Sequence, residues 1–289
     1  MGVFAVGKKT ETKSSQTKKP AKSENNFKIQ SKKPNEKRVF YEESASSGNT
    51  PEQKTDFRID TTFERKWVPQ PLETVEKLSP QKQNAFRSKA SRQVRALFRA
   101  CGSRVKVDFG DEFSREKLDC RLVNNYVAGL EDILHRFPFL AKAVQGFSVE
   151  RMGGPKGSFL GGYITFASDQ KYPDIVSGIA AEKIAGTKST NHVNHTVYHE
   201  MGHVFFHFWE DNAESNIEAK ACLVFIEDQL ETLQFAEFTG DILSTYAVIN
   251  PSEMFAECFA EYCATTQPRT FAKQIIEKIL QIINSIGDR

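Results

Sequence analysis

The sequence predicts an α+β protein with a small mixed sheet, one helix bearing a His-Glu-x-x-His pattern, and a mainly helical C-terminal part. Alternating apolar residues that predict strands occur only in the middle of the chain, whereas residues after about 210 show the apolar spacing of helices. The 289 residues are 39% hydrophobic and 26% charged, which is typical of a folded domain with a buried core.

The first 65 residues are predicted to form a disordered basic tail and linker. Residues 1–40 contain 11 Lys/Arg and 3 Asp/Glu, a net charge of +8, and the remaining 28 Lys/Arg and 34 Asp/Glu bring the total to +2. Few apolar residues are present there to offset the entropy lost on ordering. A basic tail can contact nucleic acid, but this one lacks interleaved aromatic residues, so a solvated tail is favoured.

Residues 66–289 are predicted to form one domain with three parts. These are a helical N-terminal part (66–145), a part with the sheet and the motif helix (146–210), and a helical C-terminal part (211–289). In the first part, Ser79 and Pro80 are typical of a helix start, and that helix should end at Gly102. A strand at 105–109 and a helix at 124–144, kinked or ended by Pro138, follow.

The middle part is predicted to contain two strands joined by a glycine-rich turn, an additional strand, and the motif helix. The C-terminal part is predicted to contain three helices. The predicted strands are 147–151, 162–167 and 174–179; the motif helix starts at Asn191 or Asn194; the later helices are 214–238, one that starts at Asn250, and 268–286.

The motif helix contains His199-Glu200-x-x-His203, the pattern of a zinc site in metallopeptidases. Residues four apart on a helix are separated by about 40° around its axis, so both imidazoles can reach one ion. Glu200 follows His199 directly, so its carboxylate lies beside the ion's open position and can take a proton from water.

His195 and His207 extend the motif into a ladder of four histidines with a spacing of four residues. The ladder drifts by about 120° around the helix, so one ion cannot meet all four side chains. His195 and His207 are therefore interpreted as hydrogen-bonding neighbours of the site or as ordinary polar positions.

A third ligand is expected from the helix that starts at Asn250, because a catalytic zinc site has three protein ligands. Glu253 and Glu257 are four residues apart and face the same way, which suits one ligand and one carboxylate that orients a ligand imidazole. Glu253 also fits a capping box with Asn250, so Glu257 remains the alternative ligand. Glu261 is predicted to be solvated.

These segments resemble the gluzincin metallopeptidases of the anthrax lethal factor catalytic-domain type, and peptidase domains of phage-encoded proteins carry similar segments. The similarity spans about residues 160–265 and does not extend to residues 1–150. The residues that carry the resemblance are His199-Glu200-x-x-His203 and Tyr246-x6-Glu253-x-Phe255-Ala256-Glu257-x-Phe259.

The resemblance implies a zincin-like fold and Zn²⁺ bound by His199, His203 and Glu253. It further implies that Glu200 is the general base and that Tyr246 stabilises the tetrahedral intermediate. The expected function is a zinc-dependent endopeptidase that acts on protein or peptide substrates. In such enzymes an edge strand, here 162–167, lines the cleft and pairs with extended substrate; a plain sheet strand is the alternative.

The alternative function is a non-catalytic structural or interaction protein whose helices are clamped by zinc, for example a component of a phage or of a secretion system. A closed site, with His195, His207 or Glu257 as the fourth ligand, would favour it. The sequence contains no run of ~20 apolar residues, so no membrane span is expected. Five scattered cysteines favour a reducing compartment, and a cytoplasmic location, or delivery without a cleavable signal peptide, is expected.

Overall fold

The computed structural model describes residues 79–109 and 119–287 of the chain. The predicted tail and linker, residues 1–65, lie outside the described residues, and so do residues 66–78. Within the described residues the class is α+β, with one small mixed sheet of four strands and mainly helices elsewhere, as the sequence predicts. None of the described helices is both long enough and apolar enough to cross a membrane.

All four strands of this sheet lie in the first half of the described chain, and helices follow them. The helices are α1 Pro80–Ala100, α2 Cys120–Arg136, α3 Tyr172–Ile184, α4 His195–Asn212, α5 Ile217–Gln234, α6 Thr239–Ile242, α7 Pro251–Ala264 and α8 Thr270–Gly287. The strands are β1 Lys106–Asp108, β2 Gly146–Glu150, β3 Gly157–Leu160 and β4 Tyr163–Ala167, and a 3₁₀ helix, Pro138–Lys142, precedes β2.

Side-chain caps set the boundaries of the first two helices. The Ser79 hydroxyl accepts a hydrogen bond from the Lys82 backbone N–H, which confirms the predicted start of α1. Helix α2 starts earlier than predicted because the Asp119 carboxylate accepts from the Arg121 N–H. Pro138 begins a separate 3₁₀ helix, which confirms that the second helix does not continue through it.

The sheet has the order β1-β2-β4-β3, and only the β3–β4 pair is antiparallel. The predicted hairpin between β2 and β4 is therefore wrong, because parallel strands cannot be joined by a tight turn. Strand β3, which the sequence analysis missed, forms the hairpin with β4. Gly161 (φ +56°) and Gly162 (φ +82°) make its two-residue loop, which requires positive φ at both positions. At this edge of the sheet, among the described strands, lies β3 rather than residues 162–167.

Two other sequence predictions need correction. Residues 174–179 lie in helix α3, not in a strand, because Ile175 and Ile179 are buried at helical spacing in an Ala-containing segment. The helix predicted at 214–238 is shorter, since the Asn216 side chain accepts from the Ala219 N–H and sets the start of α5.

Helices α4 and α7 pack along each other over an aromatic core. The ring of Phe205 lies 5.3 Å from Phe255, 5.7 Å from Phe259 and 5.7 Å from Trp209. All four side chains are almost fully buried. Burying a side chain of this size stabilises the fold by roughly 1.5–3 kcal/mol, so this core fixes the relation of α4 to α7.

Candidate metal centre

The backbones of α4 and α7 approach each other very closely at Gly202. A Cβ atom added at residue 202 would lie 2.7 Å from the Cα of Ala256, well inside normal van der Waals contact. Only glycine fits this position without moving a helix. This approach brings the side chains of α4 that precede and follow Gly202 next to those of α7.

Three of the sequence-predicted site residues converge at this contact. His199 Nε2 lies 3.1 Å from His203 Nε2 and 3.1 Å from Glu253 Oε2, and His203 Nε2 lies 3.5 Å from Glu253 Oε2. Ligand atoms bound at 2.0–2.1 Å to one tetrahedral Zn²⁺ are about 3.3 Å apart. The spacing of the three atoms therefore fits a single zinc ion.

Glu253 lies at the first turn of α7, where the sequence also allows a purely capping role. The Asn250 side chain does accept from the Glu253 backbone N–H at 2.8 Å. The Glu253 carboxylate, however, points to the two histidines, and its Oε2 atom is buried without a hydrogen bond of standard geometry. A buried carboxylate oxygen left in this way fits a ligand to a cation.

A polar neighbour lies close to the Nδ1 atom of each imidazole. His199 Nδ1 lies 3.0 Å from Glu257 Oε1, and His203 Nδ1 lies 2.8 Å from the Ser252 hydroxyl. The Ser189 N–H donates to Glu257 Oε2 at 2.6 Å and holds that carboxylate in place. These contacts leave both Nε2 atoms free to face the same point, as is usual around metal-bound histidines.

His195 and His207 lie away from this point. His195 is buried, and its Nε2 atom is 3.3 Å from Glu257 Oε1, the same oxygen that lies next to His199 Nδ1. His207 is half-exposed and pairs with Glu210. His195, His199 and Glu257 form a second, wholly buried group whose ligand atoms lie within 4.8 Å of one another, which could also hold an ion.

Glu200 is buried beside the convergence point, with 6% of its surface exposed. Burial raises its pKa, and the neighbouring histidines His199 and His203 act in the opposite direction. Strand β3 packs directly on this side chain: a Cβ at Gly157 would lie 2.9 Å from Glu200 Oε1. The edge strand thus borders the candidate base.

Tyr246 lies in the loop before α7, with its ring 6.0 Å from the ring of His199 and 37% of its surface exposed. Burial, together with the charges of Glu253 and Glu200, raises the pKa of the phenol. The hydroxyl therefore stays protonated at neutral pH and can donate a hydrogen bond into the cleft.

The acidic surroundings favour a positive charge between the two helices. Burial alone would lower the pKa of His199, but Glu253, Glu257 and Glu200 raise it to about 9. Burial would raise the pKa of Glu253, but the two histidines lower it to about 2. A cation at the convergence point meets the same favourable field.

An open chamber of about 340 Å³ lies in front of the three converging atoms. Its wall combines the edge strand, the motif helix and the segment from Tyr246 to Glu253. This volume lies within the range of small-ligand pockets, at roughly 300–1,000 Å³. A ligand can therefore reach the convergence point from solvent.

Glu261 contradicts the expectation of a solvated side chain. It is buried and paired with Arg269, whose guanidinium lies 2.6 Å from Glu261 Oε2. Arg269 also donates to backbone carbonyl groups of Ser189 and Gly240, and to that of Leu243. The pair thereby ties the start of α8 to the loops that carry Ser189 and Tyr246.

Sequence reasoning missed three residues around the site, two in the loop before α4 and one in the first turn of α7. Ser189 and Ser252 act through a backbone N–H and a hydroxyl, and Lys188 lies with its Nζ atom 4.7 Å from the centre of the Tyr246 ring. No motif connects single Ser or Lys residues to a site so far along the chain. Only Ser252 could have been found from the sequence, because it lies in the first turn of α7 directly before the predicted ligand Glu253.

Neither a family model, nor a curated protein, nor a solved structure matches this chain.

Proposed function

We propose that this chain is a zinc-dependent endopeptidase of the gluzincin type, with a zincin-like fold. The observation that carries the proposal is the convergence of His199 Nε2, His203 Nε2 and Glu253 Oε2 within 3.1–3.5 Å of one another, beside the buried Glu200. Two imidazoles and a carboxylate, in front of an open chamber, are the ligand set of a catalytic rather than a closed zinc site.

The choice of zinc follows from the ligand types and their spacing. Imidazole and carboxylate ligands at tetrahedral distances suit Zn²⁺, while Ca²⁺ and Mg²⁺ take more oxygen ligands. When bound, zinc supplies a Lewis acid that polarises the substrate carbonyl and lowers the pKa of water. The side chains of this protein perform the remaining tasks.

Glu200 is proposed as the general base and then the general acid. Its carboxylate takes a proton from the water whose oxygen attacks the scissile carbonyl carbon. When the carbon–nitrogen bond breaks, Glu200 returns that proton to the leaving amine. Tyr246 is proposed to donate its phenolic hydrogen bond to the oxyanion that develops on the carbonyl oxygen. Glu257 and Ser252 keep the two imidazoles oriented throughout.

The substrate is proposed to be an extended peptide. Among the described residues strand β3 pairs with β4 alone, so its outer edge there offers backbone groups along the chamber that no described strand uses. A peptide can add to such an edge by main-chain hydrogen bonds. Strand β3, in place of residues 162–167, is proposed to pair with the extended substrate.

The direct test compares the wild-type chain with Glu200→Gln. Both proteins are expected to bind one zinc ion per chain, while the variant loses roughly 10²–10⁴-fold in the rate of peptide hydrolysis. Metal content is measured by mass spectrometry and hydrolysis with a peptide library. Equal activity of the two proteins would exclude Glu200 as the base, and no hydrolysis by the zinc-loaded wild type would exclude a peptidase.

A zinc-clamped structural protein is the competing proposal, and the buried group of His195, His199 and Glu257 favours it. An ion held by these three buried side chains would join α4 to α7. Zinc binding that survives Glu253→Gln but not His195→Phe, in a chain without hydrolytic activity, would support this alternative.

A further inference from the structure

The cleft continues past His199 into a second chamber of about 320 Å³, which the proposed reaction does not use. The two chambers share Gly157, His199, Glu200 and Tyr246 in their walls. Because they meet at the candidate base, a peptide cut beside Glu200 extends from one chamber into the other. The second chamber therefore receives a part of the substrate next to the bond that is cut.

Two lysines lie in the wall of this second chamber, together with other polar residues such as Glu182 and Thr187. Lys156 is already paired, since its Nζ atom lies 2.7 Å from Glu182 Oε2. Lys188 forms a longer ion pair, with its Nζ atom 3.8 Å from Glu257 Oε1, and this atom makes no hydrogen bond within the described part of the chain. An ammonium group has three N–H donors, so Lys188 can donate to a ligand.

Glu257 has close polar neighbours other than Lys188. Its Oε2 atom accepts from the Ser189 N–H at 2.6 Å, and its Oε1 atom lies within 3.0 Å of His199 Nδ1 and 3.3 Å of His195 Nε2. The Lys188 side chain is only 20% exposed and lies over the Tyr246 ring. Its charge is thus held at the chamber wall, partly shielded from water.

Building on the proposed peptidase function, we propose that Lys188 binds a carboxylate group of the substrate in the second chamber, immediately beside the scissile bond. The carboxylate belongs either to an Asp or Glu side chain or to the C-terminus of the peptide. The same ammonium would recognise both, and the experiment separates them.

The other charges of the chamber agree with an anionic rather than a cationic ligand. Glu182 is paired with Lys156, and Glu257 is fully buried and accepts a hydrogen bond from the Ser189 N–H. Among the residues that line the chamber, the charges of Lys156 and Glu182 offset each other, so a cationic side chain would be repelled by Lys188 and attracted by Glu200, which must remain available to water. A charge-assisted hydrogen bond in such a site favours an acidic over a matched neutral ligand roughly tenfold to a hundredfold.

The first experiment measures kcat/KM for pairs of peptides that differ only in Asp or Asn, or Glu or Gln, at either position next to the cleaved bond. A further pair ends one residue after the bond, with a free or an amidated C-terminus. We expect a preference of about tenfold or more for the carboxylate in one of these pairs. Lys188→Met and Lys188→Gln should reduce this ratio to about one, and Lys188→Arg should retain it.

Lys142→Met is the matched control, because Lys142 is exposed and lines neither chamber. Its carboxylate preference should equal that of the wild type. If Lys188 only balances the charge of Glu257, removing it will change zinc affinity without changing the ratio between acidic and neutral peptides. That result would overturn the inference.

A binding experiment provides a second readout that needs no turnover. The zinc-loaded full chain with Glu200→Gln should bind the preferred acidic peptide about tenfold more tightly than its neutral partner, as measured by fluorescence anisotropy. Adding Lys188→Met should remove this difference. Equal affinities before that substitution, or a preference that survives both Lys188→Met and Lys188→Gln, would refute the role of Lys188.

The two proposals fail in different ways. Hydrolysis without any carboxylate preference overturns the role of Lys188 and leaves the peptidase function intact. No hydrolysis of any peptide by the zinc-loaded wild type overturns the peptidase function and, with it, the substrate assignment.

Discussion

Gly202→Ala should disturb the metal centre without altering any ligand. The new Cβ would lie 2.7 Å from the Cα of Ala256, whereas carbon atoms in contact prefer about 3.5–4.0 Å. Helices α4 and α7 must therefore separate by about 1 Å at this point. Because metal–ligand distances tolerate only about ±0.2 Å, Glu253 would no longer complete the site with His199 and His203.

The expected effects are a zinc affinity at least about tenfold lower and a loss of about 1–3 kcal/mol in the free energy of unfolding. Zinc affinity is measured by competition with a chromophoric chelator, and stability by urea unfolding of the metal-free protein.

Gly129→Ala is the control, because its Cβ would lie 3.0 Å from the Val197 side chain, at the contact of α2 with α4. It should lower stability to a comparable extent and leave zinc affinity nearly unchanged. Wild-type zinc affinity in Gly202→Ala would refute the idea that this contact sets the ligand spacing.

Three further substitutions probe the residues around the ligands. Tyr246→Phe should lower kcat by roughly 10²-fold while zinc content stays at one per chain, because only the hydrogen bond to the oxyanion is lost; unchanged kcat would remove Tyr246 from the mechanism. Glu257→Gln should weaken zinc binding about 10–100-fold, measured by chelator competition, because His199 loses its charged partner; an unchanged affinity would show that this partner is dispensable. Glu261→Gln should lower the free energy of unfolding by about 3–5 kcal/mol, because Arg269 is left partly buried without its counter-charge; a loss below ~1 kcal/mol in urea unfolding would contradict this.

Local signals in the sequence were sufficient to predict where several helices start, including α7, which carries Glu253. The Asn250-Pro251 start of α7 and the Ser79-Pro80 start of α1 are formed by contacts within three residues, so they can be read from the chain. The same holds for the spacing of His199 and His203. The Asn250 side chain caps the backbone N–H of Glu253, while the Glu253 carboxylate faces the two histidines instead of folding back on Asn250.

The sheet could not be derived in the same way because its pairing is not local. Strand β3 is short and lies between glycines. The strands before and after it in the chain, β2 and β4, are parallel to each other although they are close in sequence. The glycine turn that was predicted to join two strands instead leads into β3. Strand pairing depends on contacts between distant residues, which periodicity does not reveal.

Arg269 shows the same limit for side chains. Glu261 looked solvated because it continues a row of carboxylates along α7, but the chain turns after α7 and brings Arg269 back to it. Only the path of the chain between the two helices creates this pair. Lys188 and Ser189 join the site for a similar reason, through a loop that the sequence marks only by its glycine.

The position of bound zinc tests the central claim most directly. The full chain is loaded with one equivalent of zinc and crystallised, and the ion is located by anomalous scattering at the zinc edge. The account predicts one ion about 2.0–2.2 Å from His199 Nε2, His203 Nε2 and a carboxylate oxygen of Glu253. An ion held instead between His195, Glu257 and His199 Nδ1, or no ion bound to these residues, would contradict it.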